Sequence, residues 1–439
     1  MSVSALFRRS HITKFFSLIK REGVSEAWRR AWYYTKLIAL DRGRSDATGV
    51  SNSLFSNGFF GFWEYAALNK AFYISSAPAL LTGRRHIAVI GDLNLPQCRK
   101  YRVEQLIDLW ATGGIDVTFS HFEDFPRSAD CLQRATHALL YRLPAHPMTW
   151  SYLYEANRLR LPVIYDIDDP LFSFSAYANY GNTDRLGASL RAHMLTQAPD
   201  YCAVMNACDA VSVSTPGMKE QAQLYTRRPI FLRRNFADSA TLAAGRDASI
   251  HAKTLENTPR GFTVAFASGS RGHEADFDIA VKEIEQFICA TPDRRLSILG
   301  QFDKDHLSKR LAAQTDCIAF DDYPSYLRSL AQADCAILPL ADDAFNQCKS
   351  GVRLIDAASA SVPAIISPVG DARMTMEPLR TGLIARSPGD WLDGLEMLAA
   401  DRASARDMGR NARNSLETNW SAALREPIID QDFVDWVRE

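Results

Sequence analysis

From Arg85 onward the chain spells one pattern twice: a short apolar run, then a longer amphipathic stretch. His86-Ile87-Ala88-Val89-Ile90, Pro162-Val163-Ile164-Tyr165, Ala210-Val211-Ser212-Val213, Leu296-Ser297-Ile298-Leu299 and Cys335-Ala336-Ile337-Leu338 are examples of the runs. They are apolar at nearly every position rather than at alternate ones. That is the mark of strands buried on both faces, as in a parallel sheet with helices on either side. Two such series predict an α/β chain with two doubly wound, Rossmann-like parallel-sheet domains facing a cleft, whose ligands lie beyond the carboxyl ends of the strands. A chain of 439 residues is also too long for one ordinary core. The expected division is residues 85–238, a polar linker 239–260, residues 261–420 and a helical tail 421–439. Ahead of these come a basic amphipathic arm (1–44) and a linker or wrapping segment (45–84).

The stretch from Cys348 to Ser367 reads as loop, helix, turn and buried strand. Ser350 is placed to cap the helix, whose first-turn amides then face an anion, and Lys349 stands just outside that positive end. Asp356 follows on the same helix, Pro363 stops it, and Ala364 opens the strand. A cation, a helix start and a carboxylate at this spacing suit a phosphorylated sugar or a nucleotide. In the first half, two loops carry charge. Gly91–Arg102 holds Arg99, Lys100 and Arg102 around a helix start, where cations oppose the helix dipole and so need an anion, a phosphate or an acidic acceptor. Asp166-Ile167-Asp168-Asp169-Pro170 sets three mutually repelling carboxylates at a strand end, a cost that points to function; Asp168 and Asp169 are read as hydrogen-bonding to sugar hydroxyls.

Other chemistries are not expected. The first strand is not followed by G-x-G-x-x-G, so no dinucleotide cofactor is expected there. Net charge is −1, which gives no global field for nucleic acid. Eight cysteines show no C-x-x-C pair and no metal-ligand spacing, so free thiols in a reducing compartment and no metal are expected. No uncharged apolar run of about 18 residues and no secretory signal is visible, so the chain is expected in the cytosol. Residues 1–44 carry ten Lys/Arg against three Asp/Glu, interleaved with Phe15, Phe16, Trp28, Trp32 and Tyr33. That mixture suits either a helix on the anionic inner face of the cytoplasmic membrane or an arm packed on its own protein.

Six segments also carry a resemblance. They are Phe266–Phe277 with its Gly269-Ser270-Arg271-Gly272-His273 loop, Lys349–Ser367, Thr381-Gly382-Leu383-Ile384 with Asp390-Trp391, and Met408–Arg413. In the first half they are Gln97–Arg102 and Tyr165–Pro170. In this order, over roughly residues 85–420, they resemble the retaining GT-B glycosyltransferases, the large group-1 family with many bacterial surface-polysaccharide enzymes. The resemblance implies a GT-B fold, a nucleotide-sugar donor as substrate with no further cofactor, and a glycan or lipid-linked acceptor. It implies that Gly269, Ser270, Arg271 and Lys349 meet the donor phosphates and that His273 and Ser350 line the donor site. Asp356 would hold the ribose hydroxyls, and Arg99 and Arg102 would face the acceptor or a phosphate. Arg271 and Lys349, with Asp168 and Asp169, form the implied catalytic set, the two cations stabilising the departing diphosphate without a metal.

The chain departs from that family in two places. Cys348 and Asp356 stand where two glutamates are common, and Asp168-Asp169 stands where many members have His-Asp. These departures leave room for two other readings, a catalytically degenerate scaffold in a polysaccharide assembly complex and a nucleotide-sugar epimerase or hydrolase.

Overall fold

The computed structural model describes residues 58–68, 84–94, 96–185, 188–254, 261–269 and 273–439, together with Val24, Trp28, Ala31 and Trp32. The basic arm lies outside the described residues except for those four, which are helical, with Val24, Trp28 and Trp32 exposed. No helix among the described residues is long and apolar enough to cross a membrane.

The expected alternation is realised as two six-stranded parallel sheets. In the first half the elements are α1 (Gly58–Leu68), β1 (His86–Gly91), α2 (Gln105–Ala111), β2 (Asp116–His121), α3 (Phe125–Arg134) and β3 (His137–Tyr141). Then come α4 (Pro147–Arg158), β4 (Val163–Ile167), α5 (Ala188–Ala207), β5 (Ala210–Val213), α6 (Pro216–Gln223) and β6 (Ile230–Leu232). The second half holds α7 (Ser239–Thr254), β7 (Thr263–Ser268), α8 (Val281–Ile288), β8 (Arg295–Gly300), β9 (Thr315–Ile318), α9 (Tyr323–Ala331) and β10 (Cys335–Leu338). It ends with α10 (Val352–Ser359), β11 (Ala364–Ile366), β12 (Leu383–Ile384), α11 (Pro388–Ala400), α12 (Arg402–Asn419) and α13 (Gln431–Arg438).

The strand orders are β2-β1-β3-β4-β5-β6 and β12-β11-β10-β7-β8-β9. The winding reverses between β1 and β3 in one sheet and between β7 and β10 in the other, which makes the loops after those strands the places for a ligand. β3, β4 and β5 are buried at every residue, as their unbroken apolar runs require. Helix starts follow local chemistry. Thr215 caps α6 by accepting from the Met218 amide, Asp322 caps α9 by accepting from the Ser325 amide, and Ser387 with Asp390 forms a capping box on α11, each with a proline in the first turn.

One stretch differs from the sequence expectation. Residues 239–254 are a sixteen-residue helix and not a linker. α7 packs closely on the second half: Ser249 Oγ donates to the Ala360 carbonyl at 2.7 Å, and a Cβ added at Gly245 would come within 2.4 Å of the Ser359 carbonyl oxygen. The tail at 421–439 returns to the first half. Phe433 of α13 stacks on Phe231 at 5.0 Å and meets Trp110 edge-on at 5.7 Å, and Arg85 donates to the carbonyls of Arg438 and Glu439. Upstream, α1 lies on α4, with Trp63 edge-on to Tyr154 at 5.0 Å and its Nε1 donating to Glu155. All eight cysteines are unpaired thiols, and Cys317 is exposed.

Candidate functional site

The loops after β3, β4 and β10 meet across the domain boundary, and there they form a chain of alternating charge. Lys349, from the loop before α10, places Nζ 3.2 Å from Asp169 Oδ1. Arg142, the residue after β3, reaches both Asp169 at 3.2 Å and Asp168 at 3.4 Å. The Tyr141 hydroxyl donates to Asp168, and Arg142 also donates to Cys98 Sγ at 3.4 Å. Arg142 has φ 53°, a left-handed backbone that an arginine adopts only when its surroundings hold it there. The sequence reading did not single it out, because a positive φ leaves no mark in residue type.

Burial pushes both carboxyls upward, but their partners divide them. Lys349 and Arg142 hold Asp169 below the usual carboxylate range. Asp168 stays above it, because its burial and the charge of Asp169 outweigh the pull of Arg142. Lys349 is itself raised above the usual lysine range, burial being outweighed by Asp169, so it is a fixed cation. Its ammonium also lies over the Phe345 ring, 4.8 Å from the centroid.

On the second-half side, His273 stands at the N-cap position of the short helix Glu274–Phe277 without capping it. Its Nδ1 is 3.2 Å from Asp276 Oδ2, and burial lowers its pKa. Asp276 is buried and also accepts from Asn182, Asn346 and the Ala341 amide. Because Asn182 belongs to the first half, this is a second bond across the boundary. Gly269 is exposed, and a Cβ added there would meet no atom of the other described residues within 4 Å; Ser270 and Arg271 lie outside the described residues.

Four expected site residues are placed differently. Arg102 is fully buried: Nε and Nη2 donate to Asp166 at 2.9 and 2.7 Å, and Nη1 donates to the Arg233 carbonyl and to Asn235. It cannot reach an acceptor or a phosphate, because a π-helical turn at Arg99–Glu104 rotates it into the core. Arg99 pairs with Glu104 at 2.7 Å and lies over the Phe119 ring. The remaining cation of that turn, Lys100, pairs with Asp238 at 3.1 Å.

Ser350 does not cap α10. A 3-10 turn at Asn346–Cys348 and an extended Lys349 move the helix start onward, so Gly351 is the N-cap without a side-chain bond. The Ser350 hydroxyl instead accepts from Asn235 at 2.9 Å, again across the boundary. Asp356 is buried, and its Oδ1 accepts from the hydroxyls of Tyr101 and Tyr323, the latter at 2.6 Å. The Oδ1 atom of Asp356, expected to accept from ribose hydroxyls, is thus bonded by two hydroxyls of the chain itself. Burial holds the Asp356 carboxyl above its usual range against the pull of the tyrosines. Cys348 is buried with its thiol pushed up to about 12, so it is neutral and no substitute for a carboxylate.

One mutational consequence follows directly. Tyr101→Phe removes a buried hydroxyl that bonds a carboxylate across the domain boundary. It is expected to lower stability by about 1.5–3 kcal/mol, the range for hydrogen bonds to charged groups. Urea denaturation checks it; an unchanged midpoint would show that Tyr323 alone satisfies Asp356. Among the described residues no group of three His, Cys, Asp or Glu side chains is arranged to hold a metal ion.

No family model matches the chain, and no curated protein matches its sequence. Solved structures do match its fold. HepE from Anabaena, in complex with UDP and glucose, superposes with a TM-score of 0.53 at 13% identity, covering 81% of this chain and 99% of that one. The chain has the GT-B fold. A glycosyltransferase from Rickettsia africae matches with a TM-score of 0.53 at 10% identity, covering 77% and 95% of the two chains. Sucrose-phosphate synthase from Thermosynechococcus elongatus matches with a TM-score of 0.50 at 15% identity, covering 77% and 95%. In GT-B terms, the Asp168–Arg142–Asp169–Lys349 series lies where the two domains face each other.

Proposed function

We propose that this chain is a glycosyltransferase that moves a sugar from a nucleotide-sugar donor to a glycan or lipid-linked acceptor in surface-polysaccharide synthesis, with retention and without a metal. The observation that carries the reading is Lys349, a permanently charged cation held at the start of α10 against Asp169 of the facing domain. A nucleoside diphosphate leaves as negative charge grows on its β-phosphate, and a cation fixed in advance stabilises that charge at no reorganisation cost. Arg271, in the loop after β7, is the second cation of the reading. Asp169 stays ionised between Lys349 and Arg142 and suits a hydrogen bond from a sugar hydroxyl. Asp168, with its raised pKa, suits either donating or accepting one. The similar structures of HepE with UDP and glucose and of the Rickettsia africae glycosyltransferase support this choice of chemistry.

A scaffold reading has its own support: Cys348 is a neutral thiol, and Tyr101 and Tyr323 occupy Asp356. Incubating the full chain with UDP-, GDP-, ADP-, CDP- and dTDP-sugars, with and without a membrane lipid extract as acceptor, separates the readings. Release of a nucleoside diphosphate that depends on the extract is the expected result. Binding without release would favour the scaffold, and release into water alone would favour a hydrolase.

A further inference from the structure

Arg142 stands where the backbone departs from its strand. β3 and β4 pair in parallel as far as Tyr141 and Asp166, and the Arg142 amide extends the ladder by donating to the Asp166 carbonyl at 2.9 Å. In a regular strand consecutive side chains point to opposite faces. Leu139 and Tyr141 accordingly join one apolar core, and Ala138 and Leu140 join another. Continued alternation would send Arg142 away from Tyr141. Its φ of 53° breaks the alternation, and both side chains meet at one carboxylate. The Tyr141 hydroxyl donates to both oxygens of Asp168 at 3.2 Å, and Arg142 Nη1 donates to Oδ1 at 3.4 Å. A left-handed arginine is strained, and strain of this kind persists where the surroundings need a side chain aimed in one direction.

The same nitrogen joins two carboxylates. Nη1 also lies 3.2 Å from Asp169 Oδ2, with Cys98 Sγ at 3.4 Å as a third neighbour. Lys349 reaches Asp169 Oδ1 from the facing domain. Asp169 is thus held by two cations, one from each domain, and His273 adds its influence. Asp168 is held differently. The titratable groups around it are Tyr141 and Arg142 from the end of β3, Cys98 and Arg102 from the turn before α2, and Arg233 after β6. Asp166 and Asp169 complete them from its own strand and loop. Arg102 and Arg233 pair with Asp166. Among the described residues, Arg142 is therefore the cation in contact with Asp168. Without it, Asp169 would keep Lys349, while Asp168 would keep a phenol and no cation.

We propose that Arg142 is a positioning residue for sugar transfer: its guanidinium clamps Asp168 and Asp169 into one hydrogen-bonding platform for a sugar hydroxyl and acts through Asp168. The assignment rests on the glycosyltransferase reading of this cleft and gives a role there to a residue that no motif marks. Extract-dependent release of nucleoside diphosphate from UDP-, GDP-, ADP-, CDP- and dTDP-sugars, followed across pH in the full chain, tests it. Arg142→Gln is expected to lower kcat by about 10- to 100-fold, the scale for a misplaced positioning group. It is also expected to move the pH limb set by Asp168. A neighbouring cation favours the ionised carboxylate, so its removal raises that limb by about one pH unit or more. Arg142→Lys restores the charge without the planar fork, and it is expected to return the limb and recover part of kcat. A lost fold alone would lower the rate by one factor at every pH. If folded Arg142→Gln shows that pattern, or full activity, the assignment is wrong and the glycosyltransferase reading stands. If the glutamine variant does not fold, Arg142→Lys decides: lowered kcat with unchanged donor KM supports the assignment, and full kcat overturns it. If the unmodified chain uses none of the five donors, the glycosyltransferase reading fails and the assignment falls with it.

Discussion

Replacing Lys349 with alanine is expected to lower sugar transfer by about 10²-fold or more, the scale seen when one fixed donor to a developing anion is removed. The effect should appear in kcat at saturating donor. Lys349 is held at 3.2 Å from Asp169 and over an aromatic ring, so it is in place before the donor arrives. Its role belongs to the growing charge of the leaving group more than to ground-state binding. Lys349→Arg keeps the charge but changes its geometry, and it should recover part of the loss. Full activity in the alanine variant would move the donor site elsewhere in the molecule.

The largest effect on stability is expected from Asp166→Asn. Asp166 is fully buried and receives Arg102 twice, Ser212 Oγ at 2.7 Å and Arg233 at 3.3 Å. Despite burial, the two arginines hold its carboxyl below the usual range. Arg233 is pushed down to about 10 by burial and by Arg102. The centre already carries two cations on one anion, so an amide at 166 leaves both guanidiniums without a counter-charge. Losing one partner of a buried ion pair costs about 3–5 kcal/mol. A lowered urea midpoint with an unchanged slope is the expected measurement; an unmoved midpoint would mean that solvent reaches the cluster.

The contrast between Asp166 and Asp169 shows what could be read in advance. The sequence shows three carboxylates at the end of a strand and that such a group needs partners. The partners lie far along the chain: Arg102 and Arg233 for Asp166, and Lys349 for Asp169. The same limit holds at the π-helical turn. Lys100, Tyr101 and Arg102 are consecutive, yet they are sent to Asp238, Asp356 and Asp166. Sequence periodicity assumes a regular helix and cannot show that turn. The two sheets were legible because strands buried on both faces must be apolar throughout. α7 was not, because it is rich in Ala, Ser and Gly and packs through small residues such as Gly245 and Ala248, which leave no apolar stripe.

The return of the tail has a mechanical consequence. The chain passes between the domains near Ala237 on its way out and near Trp420 on its way back, and the two passages are tied together. Ala237 bridges to Ser421, and its amide donates to the Trp420 carbonyl at 2.8 Å. Two crossings fastened at one point make a hinge pin: the domains can swing about it without sliding apart. The bonds that join Lys349 to Asp169, Asp356 to Tyr101 and Asp276 to Asn182 lie away from that pin in the sequence and span the opposing faces. They hold the opposing faces together at points apart from that crossing, so the two domains are tied both at the pin and across the cleft.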